Sequence, residues 1–271
     1  MQGRLVPPEA NRFQSFPRQS WKSEFNFARQ AGLDCIEWIY DAYGADVNPL
    51  STDKGISELR TLCGTNNVHV LSVCADYFMD MPFLRITTNE LEKRKETLKW
   101  LLRRCCRFSI NRIVLPFVDA SRIDTEEEME KVISILKQVI NVAEETKIEL
   151  HLETSLPPRQ FSDLLSEVQH PLIKANYDSG NSSGLGYDPN EEFAAYGKRI
   201  GSIHIKDRVL GAGTVPLGQG DADFSSLFKQ VKSIGYSGDF ILQVARDIPG
   251  NEIKWARKNR EFVEKALRGL K

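Results

Sequence analysis

The sequence contains few residues of the kinds that build disulfide scaffolds or nucleic-acid-binding surfaces. Among its 271 residues, 36 are basic, 37 are acidic, four are histidine and five are cysteine. A net charge of −1 provides no general attraction for nucleic acid or for an anionic membrane, so neither is expected as a partner. The cysteines are odd in number and form no C-x-x-C pair, which argues against a disulfide framework and a zinc–thiolate site.

Long apolar runs and interdomain linkers are also missing. No apolar run approaches the roughly 18 residues of a membrane span, and the N-terminus lacks the basic, apolar and small-residue regions of a signal peptide. We therefore expect a soluble, cytoplasmic protein. No stretch rich in proline, glycine or serine divides the chain, so residues 1–271 are predicted to form a single domain.

Eight short apolar runs recur along the chain, namely GRLV, CIEWI, VHVLSVC, RIVLPFV, IELHLE, IKANYD, GSIHIK and FILQVA. The segments between them predict eight helices, near residues 20–31, 54–66, 89–108, 124–146, 159–169, 190–199, 224–234 and 251–269. Alternation of strand and helix indicates a parallel sheet, and eight of each predict a closed (β/α)8 TIM barrel. An open doubly wound sheet is the alternative, but no G-x-G-x-x-G motif follows the first strand.

Polar side chains end four consecutive strands of the predicted barrel. Glu153 ends the fifth strand, Asp178 ends the sixth and Gln243 ends the eighth. In the seventh, SIHIKDR, strict alternation places His204 and Lys206 on one face. Active sites of such barrels lie at the C-terminal ends of the strands. Two carboxylates and an imidazole there predict a site for one divalent metal ion, such as manganese, magnesium, cobalt or zinc, with Lys206 reaching the substrate.

Three further side chains are candidates for substrate contact. Glu37 on the second strand points to the same barrel mouth, and a buried pair with a cation is its alternative role. Arg208 and Arg246 could supply positive charge to a phosphate group. The glycine-rich loop at residues 209–224 could hold an anion with its amides, although a flexible lid with Asp223 capping the next helix is the better interpretation.

Six motifs span nearly the whole chain: MQGRLVPP at the start, IEWI on the second strand, HLET on the fifth, YDSGN on the sixth, HIKD on the seventh and PLGQGDADF after it. Together they resemble the xylose isomerase-like TIM barrel family, in particular its sugar phosphate isomerase and epimerase branch. The resemblance implies one divalent metal held by Glu, Asp, His and Glu from strands five to eight. Glu153, Asp178 and His204 match three of these positions. Gln243 stands where the family usually has glutamate.

The resemblance and the strand-end residues predict a metal-dependent isomerase or epimerase of a sugar or sugar phosphate. Glu153 is the predicted base, Lys206 acts as an acid or polarises the carbonyl oxygen, and the metal stabilises the enediolate. The alternatives on the same barrel are an inosose-dehydratase-like lyase, an apurinic endonuclease and a non-catalytic sugar-binding protein. The endonuclease would need more histidines and a basic groove. The sequence leaves open the exact substrate and whether the chain forms a homo-oligomer.

Overall fold

The computed structural model describes residues 1–269 of the chain. Its strands are β1 (Cys35–Ile39), β2 (His69–Cys74), β3 (Arg112–Phe117), β4 (Glu149–Thr154), β5 (Ile173–Asp178), β6 (Ile200–Ile205), β7 (Asp207–Arg208), β8 (Thr214–Val215) and β9 (Phe240–Leu242). Its α-helices are α1 (Trp21–Ala31), α2 (Asp53–Asn66), α3 (Tyr77–Asp80), α4 (Thr88–Phe108), α5 (Glu126–Thr146), α6 (Pro158–Val168), α7 (Ser179–Leu185), α8 (Pro189–Tyr196), α9 (Phe224–Ser233) and α10 (Glu252–Arg268). Strands and helices alternate, as the sequence predicts.

Seven strands form one parallel sheet in the order β1-β2-β3-β4-β5-β6-β9, while β7 and β8 form a separate antiparallel pair in the loop after β6. The N-terminal segment fills the gap between the two edges of the large sheet. The amide of Gln2 donates to the carbonyl of Leu242 at 3.1 Å, and the amide of Glu37 donates to the carbonyl of Met1 at 3.0 Å. The fold is therefore a single TIM barrel in which seven strands and one bridging segment occupy the eight positions.

The prediction that residues 3–6, GRLV, form the first strand is wrong. Gln2, just before this run, makes the parallel bridge to β1. The chain then turns at Gly3, whose φ is +57°, and a Cβ there would overlap Cδ1 of Ile39. Glycine therefore lets the segment cross close to β1. The rest of the run is buried in the core, so it is apolar because of packing and not because of strand pairing.

The eight predicted helices are confirmed, each with ends within two residues of the prediction, except that α8 finishes in a 3-10 turn at Gly197–Arg199. Two short helices, α3 and α7, were not predicted, and they lie in the loops after β2 and β5 at the barrel mouth. The sequence of α7, SGNSSGL, is poor in helix formers. Its start is fixed by Asp178, whose carboxylate accepts from the amides of Gly180 and Asn181 at 2.9 and 2.8 Å.

An aromatic cluster fixes β1 in the barrel wall. Trp38, which is 1% exposed, packs against Phe16, Trp21 and Phe25 with ring centroids 5.5, 5.8 and 6.0 Å away. Such packing of large rings contributes strongly to core stability. Because side chains alternate along a strand, anchoring Trp38 in the outer layer turns its neighbour Glu37 into the barrel.

Candidate active site

The ends of β4, β5 and β6 bring Glu153, Asp178 and His204 together. Asp178 and His204 are paired neighbours in the parallel register of β5 and β6, and Glu153 lies on the adjacent strand. One ligand atom from each residue lies within 4.8 Å of the other two, and all three side chains are buried. Three of the residues predicted to bind metal therefore lie in one cluster. We call Glu153, Asp178 and His204 the triad.

Glu37 lies beneath the triad and pairs with its imidazole. Oε1 of Glu37 is 2.8 Å from Nε2 of His204, and both side chains are fully buried. Burial disfavours both charges, but the pair outweighs it and holds the pKa of Glu37 at about 2 and that of His204 at about 10. The sequence left two roles open for Glu37, substrate contact and a buried pair with a cation. The structure places Glu37 in a buried pair. It is not among the described residues that line the mouth.

The donor atoms of the triad fit a divalent cation. Nδ1 of His204 faces Oε2 of Glu153 at 3.4 Å and Oδ2 of Asp178 at 3.8 Å. Oδ1 of Asp178 caps α7, whereas Oδ2 is buried and has no hydrogen-bond partner among residues 1–269. A buried carboxylate oxygen without a donor is costly, and a cation between the carboxylates and Nδ1 would satisfy it. Glu37 would then orient the imidazole from behind, as carboxylates do at many metal sites.

Lys206 and Gln243 lie directly beside the triad. Nζ of Lys206 donates to Oε1 of Gln243 at 2.9 Å and to Oδ1 of Asn181 at 3.1 Å, and it lies 3.7 Å from Oδ2 of Asp178. The amide of Gln243 donates to Oε1 of Gln2 at 2.6 Å. A Cβ at position 180 would overlap the Lys206 side chain, so Gly180 allows α7 to approach it closely.

Two asparagines that sequence reasoning missed hold the carboxylate of Glu153. Nδ2 of Asn176 donates to Oε2 at 3.1 Å, and Nδ2 of Asn181 donates to Oε1 at 2.5 Å. Asn176 lies two residues before Asp178 and so shares its face of β5, which is a signal that the sequence contains. Asn181 lies in α7, where the sequence gives no helical periodicity. Both amides hold the carboxylate of Glu153 in one orientation.

A cavity of 340 Å³ opens above these residues at the barrel mouth. Glu153, Lys206 and Gln243 line one side, and Arg208 lies at the rim. Of the two arginines predicted to contact substrate, Arg208 therefore borders the cavity. Arg246 does not: its guanidinium donates to the carbonyls of Gly3, Val6 and Phe13 at 2.7 to 2.9 Å, and it holds the N-terminal segment in place.

The glycine-rich loop is organised around Asp207, which the sequence interpretation left without a role. Its fully buried carboxylate accepts from the amides of Gly218, Gly220 and Ala222 at 2.8, 2.9 and 3.1 Å. These three amides are therefore occupied by the chain's own anion and are not free to hold a bound anion. Asp223 caps α9 by accepting from the amide of Ser226 at 2.9 Å, as predicted.

Comparison with known proteins identifies the family of the chain. Residues 25–266 match the model of the xylose isomerase-like TIM barrel family. The chain belongs to this family. Within it, the chain is similar to an L-ribulose-5-phosphate 3-epimerase of Salmonella paratyphi A, with 23% identity over 264 residues that cover 91% of this chain and 89% of the relative. The most similar relatives therefore include enzymes that act on sugars.

Two further similarities extend the comparison. An inosose dehydratase of Clostridium tetani is 27% identical over 174 residues, a match that covers 55% of this chain and 58% of that enzyme. The crystal structure of the IOLI protein with a bound zinc atom superposes with a TM-score of 0.74 at 18% identity, covering 91% of this chain and 92% of that one. In residues 1–269, no helix has the length and apolar character to cross a membrane.

Proposed function

We propose that the protein is a divalent-metal-dependent isomerase or epimerase of a sugar or sugar phosphate. The observation that carries the proposal is the triad, two buried carboxylates and an imidazole that converge at the mouth of a barrel beside a cavity. Membership of a family whose relatives include a 3-epimerase of a ketose phosphate supports the reaction class. The metal would be held by Glu153, Asp178 and His204, with Gln243 as a neutral fourth ligand.

In this proposal Glu153 is the base that removes a proton from the carbon next to the substrate carbonyl. Its carboxylate lines the cavity, and the amides of Asn176 and Asn181 hold it in place. Lys206 donates a hydrogen bond toward the carbonyl oxygen as negative charge develops there. When bound, the cation supplies Lewis-acid stabilisation of that same charge. The oxygen-rich donor set suits manganese, magnesium, cobalt or zinc.

Dehydration is the second candidate, and the observation that favours it is Gln243. An amide cannot take up a proton, so of the four proposed ligands only Glu153 is assigned as a base, while Asp178 serves as a ligand. Removal of one proton beside a carbonyl, followed by loss of a hydroxyl group as water, needs only that one base together with an acid such as Lys206. Similarity to an inosose dehydratase supports this alternative over part of the chain.

The test is metal removal followed by reconstitution. Protein stripped with a chelator, checked by elemental analysis, is incubated in deuterated water with a panel of ketoses, aldoses, inososes and sugar phosphates, with and without each cation. We expect carbon-bound deuterium to appear in the sugar only with metal. Identification of the products distinguishes between epimerisation, isomerisation and dehydration. Undiminished turnover by the stripped protein would overturn the metal assignment.

Two variants separate the roles of neighbouring residues in this test. Asp178→Asn should lose both metal and turnover, because the substitution removes the charge of a metal ligand while keeping the shape of the side chain. Lys206→Met should keep the metal and lose about 10²-fold or more in rate, since an ammonium is a donor and not a ligand. Loss of metal from a folded Lys206→Met protein would contradict this division of roles.

A further inference from the structure

Helix α7 carries Asn181, whose side chain contacts both groups that are proposed to move protons. Nδ2 of Asn181 donates to Oε1 of Glu153 at 2.5 Å, and its Oδ1 accepts from Nζ of Lys206 at 3.1 Å. The side chain therefore fixes the separation of the proposed base and the proposed acid. Because small displacements at a reacting centre have a steep effect on rate, the position of α7 matters for the chemistry.

The seven residues of α7 do not hold that position by themselves. A helix of this length is unstable on its own in water, and SGNSSGL contains two glycines and three serines, none of which favours a helix strongly. The hydroxyl of Ser179 accepts from the amide of Lys206 at 3.0 Å and donates to its carbonyl at 2.7 Å. In the second turn, Ser183 donates to the carbonyl of Arg208 at 3.3 Å. Ser182, beside Asn181, contacts the neighbouring helix α8.

Glu192 in the first turn of α8 receives the contact from Ser182. The hydroxyl of Ser182 donates to Oε1 of Glu192 at 2.7 Å, and the hydroxyl of Tyr196 donates to the same oxygen at 2.7 Å. Glu192 is 3% exposed, so the contact is shielded from water. A hydroxyl binds a carboxylate more strongly than it binds a neutral acceptor. Glu192 therefore tethers α7 to α8 at the residue next to Asn181.

A carboxylate at this place is unfavourable for stability. Burial raises the pKa of Glu192 from 4.5 to about 7, although the hydroxyl groups around it favour the ionised form. The ionised group therefore lowers the free energy of unfolding, a cost that is fully present above pH 7 and absent below pH 4.5. A neutral side chain of the same shape, such as glutamine, would avoid this cost. Retention of a charge at such a cost is typical of functional positions.

We propose that Glu192 is a positioning residue, which acts through Ser182 and α7 to hold Asn181 in contact with the proposed base and acid. The proposal rests on the proposed function for the roles of those two groups. Glu192 is not among the described residues that line the cavity. Its loss should therefore lower kcat and leave KM nearly unchanged.

The test breaks the tether from each side. Glu192→Gln keeps the shape of the side chain but weakens the acceptor. Ser182→Ala removes the donor, and alanine, a better helix former, favours α7 itself. With the sugar of the reconstitution panel that the wild-type protein turns over fastest, each variant should lose about tenfold in kcat. KM and the affinity for manganese should change little. Because both changes break one contact, the double variant should lose no more than either single variant.

Ser162→Ala is the matched control. Ser162 on α6 ties its helix to α8 by donating to the carbonyl of Ala195 at 2.9 Å, and α6 carries none of the proposed site residues. This variant should leave kcat unchanged. Unchanged kcat in folded Glu192→Gln and Ser182→Ala proteins, or losses that add in the double variant, would overturn the proposal.

A second measurement needs no substrate. Nuclear magnetic resonance of the metal-free protein detects the side-chain amide of Asn181, assigned by its absence in Asn181→Asp. Both tether variants should shift this signal and speed the exchange of its protons with water, since the bond to Glu153 is weakened. An unmoved signal would refute the proposal. A shifted signal in a protein that shows no metal-dependent deuterium exchange would support the tether and reject the proposed function.

Discussion

His151 and His204 are both fully buried in the barrel, yet their surroundings differ. His151 lies near the floor on β4, where Nδ1 is 2.7 Å from Oγ of Ser202 and Nε2 is 2.8 Å from Oε2 of Glu149. Burial outweighs Glu149 and lowers the pKa of His151. His204 lies at the mouth on β6, and its pKa is raised to about 10 despite burial, by Glu37 first and then by Glu153.

The difference shows which feature separates a structural histidine from a candidate ligand. At the floor, both nitrogens of the imidazole have hydrogen-bond partners and one carboxylate lies nearby. At the mouth, three carboxylates surround one imidazole, and Nδ1 has no hydrogen bond within residues 1–269. A buried site with an excess of negative charge favours a bound cation. In the metal-free protein that cation is a proton on His204. In the metal-bound protein it is the metal ion.

The two regions are linked by hydrogen bonds. Oγ of Ser202, which is bonded to His151, donates to Oδ1 of Asn176 at 2.6 Å, and Nδ2 of Asn176 donates to Glu153. The floor therefore orients the proposed base at the mouth, while the chemistry itself requires only the mouth. Substitutions at the two levels should consequently affect different quantities, namely stability at the floor and rate at the mouth.

The largest effect is expected from comparing Glu153→Gln with Glu149→Gln. The first change removes the proposed base and one ligand charge, so exchange of carbon-bound deuterium should fall by about 10³-fold or more. The second removes the charge that Glu149 places beside Lys174 and the buried His151, and it should cost about 1 to 3 kcal/mol of stability. Deuterium exchange and urea unfolding of both proteins measure the two quantities. Equal loss of rate in the two variants would remove the distinction between mouth and floor.

A smaller effect concerns the pH dependence of stability in chelated protein. The pKa of His204 rises from 6.5 to about 10 on folding, so its contribution is fully present below pH 6.5 and is lost as the pH rises through 10. The pKa of Glu37 falls from 4.5 to about 2, so its contribution is present above pH 4.5 and is lost as the pH falls through 2. The pair therefore stabilises the metal-free protein most between pH 4.5 and 6.5.

Urea midpoints of chelated wild-type and Glu37→Gln proteins at pH 5.5 and 9 measure this contribution. Glu24 and Glu192 have pKa values of about 7 because of burial, and they titrate in both proteins, so the difference between the two proteins isolates the pair. We expect the wild-type advantage to shrink at pH 9. The same advantage at both pH values would show that His204 is not charged in the metal-free protein.

The comparison also shows what the sequence could predict. Hydrophobic periodicity was enough to predict the eight helices, because most of them carry an apolar face. The position of a polar residue along its strand was enough to place Glu153, Asp178 and His204 at the barrel mouth, since the C-terminal ends of the strands meet there. Glu37 could not be assigned, because the register that pairs it with His204 across the barrel depends on the closed fold.

Other parts of the site depend on backbone that carries no periodic signal. Asn181 reaches Glu153 only because Asp178 starts a helix in a sequence that resembles a loop. Arg246 was predicted to contact substrate from its charge alone, and the structure uses that charge on three carbonyls of the N-terminal segment.

The smallest effect, and the sharpest test of the mouth, is Gln243→Glu. With glutamine, two carboxylates around a divalent cation leave the four proposed ligands and the metal formally neutral. A third carboxylate would make the set anionic, and the affinity for the metal should rise by about tenfold, because ligand charge tunes such sites. The new carboxylate would also lie 2.9 Å from Nζ of Lys206, which already donates to this position, so part of the gain is offset by that ion pair.

Gln2→Glu is the matched control, because Gln2 touches the amide of Gln243 at 2.6 Å but lies one residue further from the triad. It adds the same charge without adding a proposed ligand, so metal affinity should change less than in Gln243→Glu. Titration of each stripped protein with manganese measures affinity, and the ratio of epimerised to isomerised product measures chemistry. A carboxylate at position 243 can accept a proton on the side of the substrate away from Glu153, so we expect that ratio to rise. If neither quantity moves relative to Gln2→Glu, then Gln243 does not face the metal, and its bond to Lys206 serves only to hold the ammonium in place.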